Sequence, residues 1–286
     1  MRFPDFIVVG VAKCGTSSLC NYVNMHPDVF MTRPKELNFF GRNGIEKKLE
    51  AYSKNFEGSE GKMAGEGSVS YMLYSELAAK QIKEYVPDAK LIVMLRNPMD
   101  RFYSDFWFNV NRGAVTYKKG LFEGIIDGSM DVPYKPMFTE SYRDSLLTKG
   151  DYAKHLKYYF EHFDRSQIKI IFFDDFKNNR QKVLDEVFEF LGVHNAEIKA
   201  PDKVFNKTRY PGKFNIIYTT WKRIKPLLPQ KLVVKHRGRL KNLKDSMFSD
   251  KKPEFSDNSR SKLYSIYEDS IKELEGMLNV DLSRWK

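Results

Sequence analysis

The chain has 286 residues, of which 42% are hydrophobic, and a formal net charge of +11. This length can bury the core of one large α/β domain, or of one domain with an appendage, and we predict a single domain over residues 1–286. No apolar run approaches the roughly 20 residues of a membrane-spanning helix, which excludes a membrane span within this sequence.

The first predicted element is a hydrophobic strand at Phe6–Val9, followed by a loop bounded by Gly10 and Gly15. A helix then opens with hydroxyl residues, so backbone N–H groups and the positive end of a helix dipole point at one small volume suited to phosphate or sulfate. The glycine spacing matches a nucleotide P-loop, but Thr16 stands where a triphosphatase carries its lysine, and the lysine is Lys13. We therefore predict an anion site, not a site for a metal-bound triphosphate.

Strand-like runs that alternate with helical patterns predict βαβ units and a central parallel sheet flanked by helices. Proline or glycine closes several of the helices, as at the carboxyl ends of helices generally. In chain order, the predicted elements after the first strand are helix Thr16–Met25, helix Ser75–Val86, strand Leu91–Leu95, helix Pro98–Val110, helix Tyr152–Phe163, strand Ile168–Phe173, helix Asp175–Leu191 and helix Ser256–Leu278.

The segment 199–252 is basic and irregular, with sixteen lysines and arginines against three aspartates. We predict loops with one or two short helices here. Such a region faces an anionic partner, namely nucleic acid, lipid headgroups or an acidic polymer, or it is only a solvated surface.

Two features of the sequence bear on the cellular compartment of the protein. The first strand starts by about residue 5, which leaves no room for a signal peptide before it. Cys14 and Cys20 are six residues apart, a spacing that does not bring side chains together on a helix, so we expect no disulfide. We predict a cytoplasmic location, unless the chain is a fragment of a membrane-anchored Golgi-type enzyme.

A second anion-binding element is predicted at Arg96, at the carboxyl end of the strand Leu91–Leu95, with Ser104 on the helix behind it. Ligands of open α/β sheets bind beyond the carboxyl ends of strands. We expect a ligand with two separated phosphate-like groups to be bound by Lys13, Thr16, Ser17, Arg96 and Ser104. A salt bridge from Arg96 to a neighbouring helix is the alternative.

The Lys-x-Gly-Thr-Ser loop, the Leu-Arg-Asn-Pro strand end and the serine eight residues after its arginine together resemble the sulfotransferases that use 3′-phosphoadenylyl sulfate (PAPS). The likeness covers nearly the whole chain and implies a P-loop-like, three-layer α/β fold. It also implies that the first loop holds the 5′-phosphosulfate and that the arginine and serine hold the 3′-phosphate. The residues so assigned are Lys13, Cys14, Gly15, Thr16, Ser17 and Ser18 for the first group, and Arg96 and Ser104 for the second.

A late segment, Lys207, Thr208 and Arg209, resembles the loop that closes over the 3′-phosphate and adenine in that family. It departs from the family pattern because it lacks the Lys-Gly pair found there. The likeness implies that these three residues also contact PAPS.

The segment from Arg33 to Phe40 is similar to the Lys-Glu-x-x-Phe-Phe segment of glycosaminoglycan-type, heparan sulfate-like sulfotransferases. This likeness implies that Glu36 is the catalytic base and that Lys13 is the cation at the leaving phosphate oxygen. An ion pair of Glu36 with Lys35 or Arg33 is the alternative, and Glu66 could equally be the structural partner of a lysine. The candidates for contact with the acceptor are Lys35, Asn38, Glu66 and Ser68.

We therefore predict transfer of a sulfuryl group from PAPS to a hydroxyl or amine of a carbohydrate acceptor, with adenosine 3′,5′-bisphosphate as product. The histidines and cysteines show no metal-ligand spacing, so we expect no metal ion. We also expect no nucleic-acid partner. Two alternatives remain. One is an ATP-dependent kinase with Asp174 and Asp175 as magnesium ligands, and the other is a basic module that binds an anionic polymer or membrane.

Overall fold

Five short strands form one parallel sheet in the computed structural model, which describes residues 1–132, 141–198 and 253–286 and the backbone of 210–211 and 248–249. Their order is β2-β3-β1-β4-β5, and every neighbouring pair is parallel. This confirms the predicted α/β class. The strands are β1 Phe6–Gly10, β2 Val29–Met31, β3 Met63–Glu66, β4 Lys90–Leu95 and β5 Ile168–Phe172.

The central strand β1 pairs with β3 on one side and with β4 on the other. Phe6 is opposite Gly65 in β3 and Lys90 in β4. Neighbouring strands lie about 4.8 Å apart, so the carboxyl ends of β3, β1 and β4 occupy one edge of the sheet within about 10 Å. The residues that follow these three strands are therefore brought to a common edge.

Helices cover both faces of this sheet, because all five residues of β1 and five of six in β4 are buried. On one side α1 contacts α10, and elsewhere α3 and α8 pack with α4. The helices are α1 Thr16–Val23, α2 Leu49–Ser53, α3 Ser70–Leu73, α4 Ser75–Tyr85, α5 Pro98–Asn111, α6 Leu121–Asp127, α7 Tyr142–Thr148, α8 Tyr152–His162, α9 Phe173–Asn178, α10 Arg180–Leu191 and α11 Asp257–Leu278.

Five of the predicted helices are confirmed with ends displaced by no more than two residues, and the prediction of one helix over Asp175–Leu191 is wrong. The chain forms two helices, α9 and α10, because Asn179 adopts φ −133° and ψ 52°, outside the helical region. Gly192, at φ 83°, ends α10 as expected. The apolar pattern continues across the break, which is why periodicity alone did not reveal it.

Two strands of the five-stranded sheet were not predicted. β2 has three residues and β3 has four, and β3 contains a glycine and a glutamate. Runs of three or four residues are too short to show the alternation of apolar and polar residues that indicates a strand. Their pairing depends on partners distant in sequence. Their presence places Glu66 at the carboxyl edge of the sheet, beside β1.

The described chain divides into two compact units. The first, Met1–Arg101 with Asp151–Asn206 and Asp269–Lys286, contains the five-stranded sheet, and the second comprises Phe102–Gly150 and Lys207–Glu268. The single-domain prediction over 1–286 stays a prediction. Most of the basic segment 199–252 lies outside the described residues, apart from two short strands, β6 Tyr210–Pro211 and β7 Phe248–Ser249, which pair antiparallel. Among the described residues, no helix is both long enough and apolar enough to cross a bilayer.

The second unit contains an aromatic cluster that includes Phe106 and Phe122, and it also contains a buried ion pair. Lys149 Nζ is 3.0 Å from Oδ2 of Asp105, and the two side chains are only 8% and 6% exposed. The other carboxylate oxygen of Asp105 accepts a hydrogen bond from Asn109 Nδ2 at 3.1 Å. Such a pair is costly to break, because the remaining partner is a buried charge.

We expect Lys149→Met to lower the free energy of unfolding by about 3 kcal/mol, because it removes an ammonium that pairs with the buried Asp105 carboxylate. Lys262→Met is the matched control: its ammonium is 3.8 Å from the carboxylate of Asp127, and both side chains are exposed. Exposed pairs contribute little, so we expect a loss of about 0.5 kcal/mol or less. Urea unfolding monitored by circular dichroism measures both. Equal losses in the two variants would contradict the prediction.

Candidate functional site

The loop after β1 forms a cradle of backbone N–H groups. Lys13 and Gly15 have positive φ values of 72° and 93°, and Gly15 is the N-cap of α1 with no side-chain cap hydrogen bond. The N–H groups in the first turn of a helix have no carbonyl partner within that helix, and the dipole there is positive. Thr16 is buried at 4% exposure, whereas Ser17 and Ser18 are half-buried. The cradle therefore suits an anion, and the predicted anion site stays a prediction.

Cys14 lies on the inner side of this loop. Its N–H donates to the carbonyl of Val11 at 3.2 Å, and its thiol is 3.8 Å from the hydroxyl of Tyr152. The side chain is 0% exposed. The predicted contact of Cys14 with PAPS stays a prediction, and these polar groups face the protein.

Arg96, which follows β4, is joined to the loop. Its Nη1 donates to the main-chain oxygen of Lys13 at 3.3 Å, and its own carbonyl accepts from the Tyr152 hydroxyl at 2.7 Å. The guanidinium also lies over the ring of Phe173, 4.7 Å from its centre. The structure thus brings Arg96 and the loop together, and among the described residues Arg96 forms no salt bridge to a helix, the alternative considered for it.

Phe173 also explains why a glycine stands at position 15. A Cβ added at Gly15 would lie 2.9 Å from the Phe173 ring, and the φ of +93° strains any other residue. Phe173 was not recognised as a site residue from the sequence. The available signal was its place at the carboxyl end of a predicted strand, at the edge where ligands of α/β sheets bind.

Asn97 and Trp285 form a second set of contacts, which supports the turn that contains Arg96. Asn97 Nδ2 donates to the carbonyl of Trp285 at 3.1 Å. Trp285 is 1% exposed and packs edge-on against the rings of Tyr152 and Phe172. These contacts hold the turn after β4 in a fixed position, although the residues are far apart in sequence.

The loop that carries Glu36 runs along the end of β3. Gly67 N–H donates to the carbonyl of Lys35 at 3.0 Å, and Leu37 N–H donates to Oε2 of Glu66 at 3.4 Å. Because β3 pairs with β1, this loop lies at the same edge of the sheet as the anion cradle. The Glu36 carboxylate side chain is 40% exposed, so it can meet a ligand.

Lys35 accompanies Glu36. Its Nζ is 3.1 Å from Oε1 of Glu36, an ion pair whose angles fall outside the hydrogen-bond range. This is the ion pair that the alternative interpretation of Glu36 describes. The contact is compatible with a catalytic carboxylate, because the side chain remains partly exposed, and both roles stay predictions.

Glu66 and Ser68 are fully buried. Oε1 of Glu66 accepts from the hydroxyls of Tyr52 at 2.9 Å and Tyr71 at 2.6 Å, and Oε2 accepts from the Ser68 hydroxyl. Burial raises the pKa of Glu66, and these hydrogen bonds oppose the rise. The predicted contact of Glu66 and Ser68 with an acceptor stays a prediction, but their side-chain oxygens face protein groups.

Asn38 turns the loop. It has a left-handed φ of 50°, its Nδ2 donates to the carbonyl of Glu36 at 3.3 Å, and its Oδ1 accepts from the Ser70 hydroxyl at 2.6 Å. Asparagine tolerates this conformation better than most residues. The side chain predicted to bind the acceptor is thus engaged in holding the loop.

Four further site residues stay predictions. Ser104 lies on α5 in the second unit, and its convergence with Arg96 stays a prediction. Lys207, Thr208 and Arg209 lie outside the described residues. Within the parts of the chain that the structure covers, no group of three or more His, Cys, Asp or Glu side chains is placed to hold a metal ion.

A parallel sheet whose first strand leads through a glycine-bounded loop into a helix, with an arginine at the end of the neighbouring strand, defines a P-loop-like α/β protein. The family model described as Sulfotransferase domain matches residues 3–276, so the chain belongs to the sulfotransferase domain family.

Curated relatives agree with that membership. A mouse protein named bifunctional heparan sulfate N-deacetylase/N-sulfotransferase 3 is 32% identical over 203 residues, which are 67% of this chain and 22% of the relative. A *Caenorhabditis elegans* protein named bifunctional heparan sulfate N-deacetylase/N-sulfotransferase 1 is 27% identical over 80% of this chain and 27% of its own length. The chain therefore spans about a quarter of these relatives. The predicted resemblance to heparan sulfate-type sulfotransferases is confirmed.

The crystal structure of a sulfotransferase from *Alicyclobacillus acidocaldarius* has the same fold. It superposes with a TM-score of 0.68 at 26% identity, covering 100% of this chain and 99% of that one. This confirms the predicted P-loop-like α/β architecture. The predicted compartment stays a prediction.

Cys14 and Cys20 are buried and form no disulfide, and we expect the Cys20 thiol to be unreactive in the native protein. Burial raises its pKa to about 11, and nearby Lys35 only partly opposes this. At pH 8 roughly one thiol in a thousand would then be ionised, and only the thiolate reacts. In a Cys14→Ser variant, Cys20 is the remaining thiol. A coloured disulfide reagent should react with it rapidly only when guanidinium chloride has unfolded the protein. Fast native reaction at pH 8 would contradict the prediction.

Proposed function

We propose that this chain transfers a sulfuryl group from PAPS to a hydroxyl or amine of a carbohydrate, by in-line displacement with Glu36 as the base. One observation carries the proposal: the anion cradle after β1 and the Glu36 loop beside β3 lie at the same edge of adjacent parallel strands. Family membership and the names of the heparan sulfate relatives support the reaction class and the acceptor class.

The residues present suit the two ends of PAPS. A helix N-terminus with no side-chain cap, a glycine where a Cβ would collide and consecutive hydroxyl residues form a cradle for the 5′-phosphosulfate. Arg96, held by the main chain and by Phe173, is suited to the 3′-phosphate. The residues we assign to PAPS are Lys13, Cys14, Gly15, Thr16, Ser17, Ser18, Arg96, Ser104, Lys207, Thr208 and Arg209.

When bound, PAPS supplies a sulfuryl group attached to a good leaving group, adenosine 3′,5′-bisphosphate. The bond from sulfur to the bridging phosphate oxygen breaks as the acceptor oxygen or nitrogen bonds to sulfur, and the acceptor proton passes to the carboxylate of Glu36. The ammonium of Lys13 stabilises the charge that develops on the leaving phosphate oxygen, the role that a metal ion has in phosphoryl transfer. Lys35, Asn38, Glu66 and Ser68 shape the acceptor side of the site. No metal is needed in this scheme.

The kinase alternative has less support. Asp174 and Asp175, its candidate magnesium ligands, lie in the first turn of α9, and Asp175 is paired with Arg284 at 3.1 Å. The anionic-polymer module is centred on 199–252, most of which lies outside the described residues. We therefore expect transfer from PAPS that persists in EDTA, and no phosphoryl transfer from ATP.

We expect Glu36→Gln to lower kcat by about 10²- to 10⁴-fold, because the variant cannot accept the acceptor proton. The assay measures transfer of labelled sulfate from PAPS, in EDTA, to N-desulfated heparan sulfate and to its N-acetylated form, which separates amine from hydroxyl acceptors. Glu50→Gln is the control: this carboxylate also pairs with a lysine, Lys54, at 3.0 Å, but on the exposed surface of α2. Near-normal turnover by Glu36→Gln would refute the base assignment.

We expect Gly15→Ala to bind adenosine 3′,5′-bisphosphate at least about tenfold more weakly, because the added methyl group collides with Phe173 and distorts the cradle. Gly44→Ala is the matched control: Gly44 also has a positive φ, 74°, but an added Cβ meets nothing within 4 Å. Both alanines carry a similar backbone strain, of roughly 1 kcal/mol, so only the collision differs. Titration calorimetry measures both affinities. If the wild-type chain has no affinity for this nucleotide, the PAPS proposal fails.

A further inference from the structure

A buried carboxylate holds the loop that carries Glu36. We propose that Glu66, acting through Ser68 and Tyr71, is a positioning residue for Glu36, and we name these three residues the loop clamp. The inference rests on the proposed function, in which Glu36 is the base. It assigns Glu66 and Ser68 a role behind the acceptor side of the site in place of direct contact with the acceptor.

The loop clamp binds three consecutive backbone N–H groups. Leu37 N–H donates directly to Glu66 at 3.4 Å, Asn38 N–H donates to the Ser68 hydroxyl oxygen at 2.9 Å, and Phe39 N–H donates to the Tyr71 hydroxyl oxygen at 2.9 Å. All three members of the loop clamp are 0% exposed. The three residues that follow Glu36 are therefore fastened, one after another, to the end of β3 and the start of α3.

The direction of these hydrogen bonds requires a carboxylate at position 66. Each hydroxyl of Ser68 and Tyr71 has one hydrogen, and its oxygen already accepts from a loop N–H, so the hydroxyl donates to Glu66. Glu66 receives four donors in total, counting Leu37 N–H and the Tyr52 hydroxyl. An amide at this position would direct its NH₂ group at other donors, and a buried mismatch of that kind is costly.

Fastening this backbone while leaving the Glu36 side chain exposed suits a base that must meet its substrate in one geometry. The carbonyl of Glu36 is held by Asn38, whose own side chain accepts from Ser70. The carboxylate of Glu36 remains 40% exposed. Displacement of a reacting group by about 1 Å can cost 10²-fold in rate, so a loosened loop lowers kcat before it affects donor binding.

Tyr52 offers a matched comparison with Tyr71. Both rings are buried, at 2% and 0% exposure, and both hydroxyls donate to the same Oε1 of Glu66. Only the Tyr71 hydroxyl also accepts from the loop, at Phe39 N–H. Tyr71→Phe and Tyr52→Phe therefore remove the same kind of hydrogen bond to Glu66, but only the first also removes a hydrogen bond to the loop, at Phe39 N–H.

The experiment measures three quantities for wild type, Tyr71→Phe and Tyr52→Phe: kcat with N-desulfated heparan sulfate, KM for PAPS, and hydrogen–deuterium exchange of a peptide covering residues 36–40. We expect Tyr71→Phe to lower kcat at least about tenfold, to leave KM for PAPS within about twofold, and to exchange faster at residues 37–39. Tyr52→Phe should stay within about twofold of wild type in kcat and exchange as wild type does.

Equal effects of the two substitutions on kcat, or wild-type exchange in Tyr71→Phe, would overturn the proposal. If the wild-type chain sulfates no acceptor, the proposed function fails, and the exchange comparison alone then decides whether the loop clamp holds the loop. If Tyr71→Phe does not fold, Ser68→Ala removes the other relay, to Asn38 N–H, and the same outcomes apply to it.

Discussion

Parallel pairing of three neighbouring strands is the constraint on which the rest of this structure depends. β1 lies between β3 and β4 in register, so the chain leaves all three strands at one edge of the sheet. The anion cradle follows β1, Arg96 follows β4, and the loop clamp begins at the end of β3. Both faces of β1 and β4 are covered, so the apolar core enforces this arrangement without any contribution from the polar groups that use it.

The side chains of Arg96 and Glu36, which we assign to the site, are partly exposed, and neighbouring protein groups hold Arg96 and the loop of Glu36. Arg96 is positioned by the Lys13 carbonyl, by the Phe173 ring and by Tyr152, while the loop of Glu36 is held by the loop clamp. A buried hydrogen bond contributes about 1 kcal/mol net, and an unmatched buried donor costs as much or more. The main effect of the supporting groups is therefore to make other loop conformations unfavourable, and their contribution to overall stability is secondary.

Much of this architecture could be predicted from local pattern. The strands β1, β4 and β5 and five long helices were predicted because apolar periodicity and helix-ending prolines and glycines are encoded within a few residues. The break at Asn179 and the strands β2 and β3 were not, because a single non-helical residue leaves the periodicity intact and strands of three or four residues have none. In the site, loop spacing predicted the cradle and the carboxyl end of a strand predicted Arg96, whereas Tyr71 carried no local signature.

The sequence by itself determined the α/β class, the anion cradle with its displaced lysine, and the likeness to sulfotransferases, since each depends on the order and spacing of neighbouring residues. Only the tertiary structure decided that Glu66 is buried among hydroxyl donors, that Phe173 lies between Gly15 and Arg96, and that the Glu36 loop shares an edge with the cradle. These facts depend on contacts that local sequence pattern does not encode, such as those of Phe173 with Gly15 and of Leu37 with Glu66. Such contacts exist only after the core has brought the strands together.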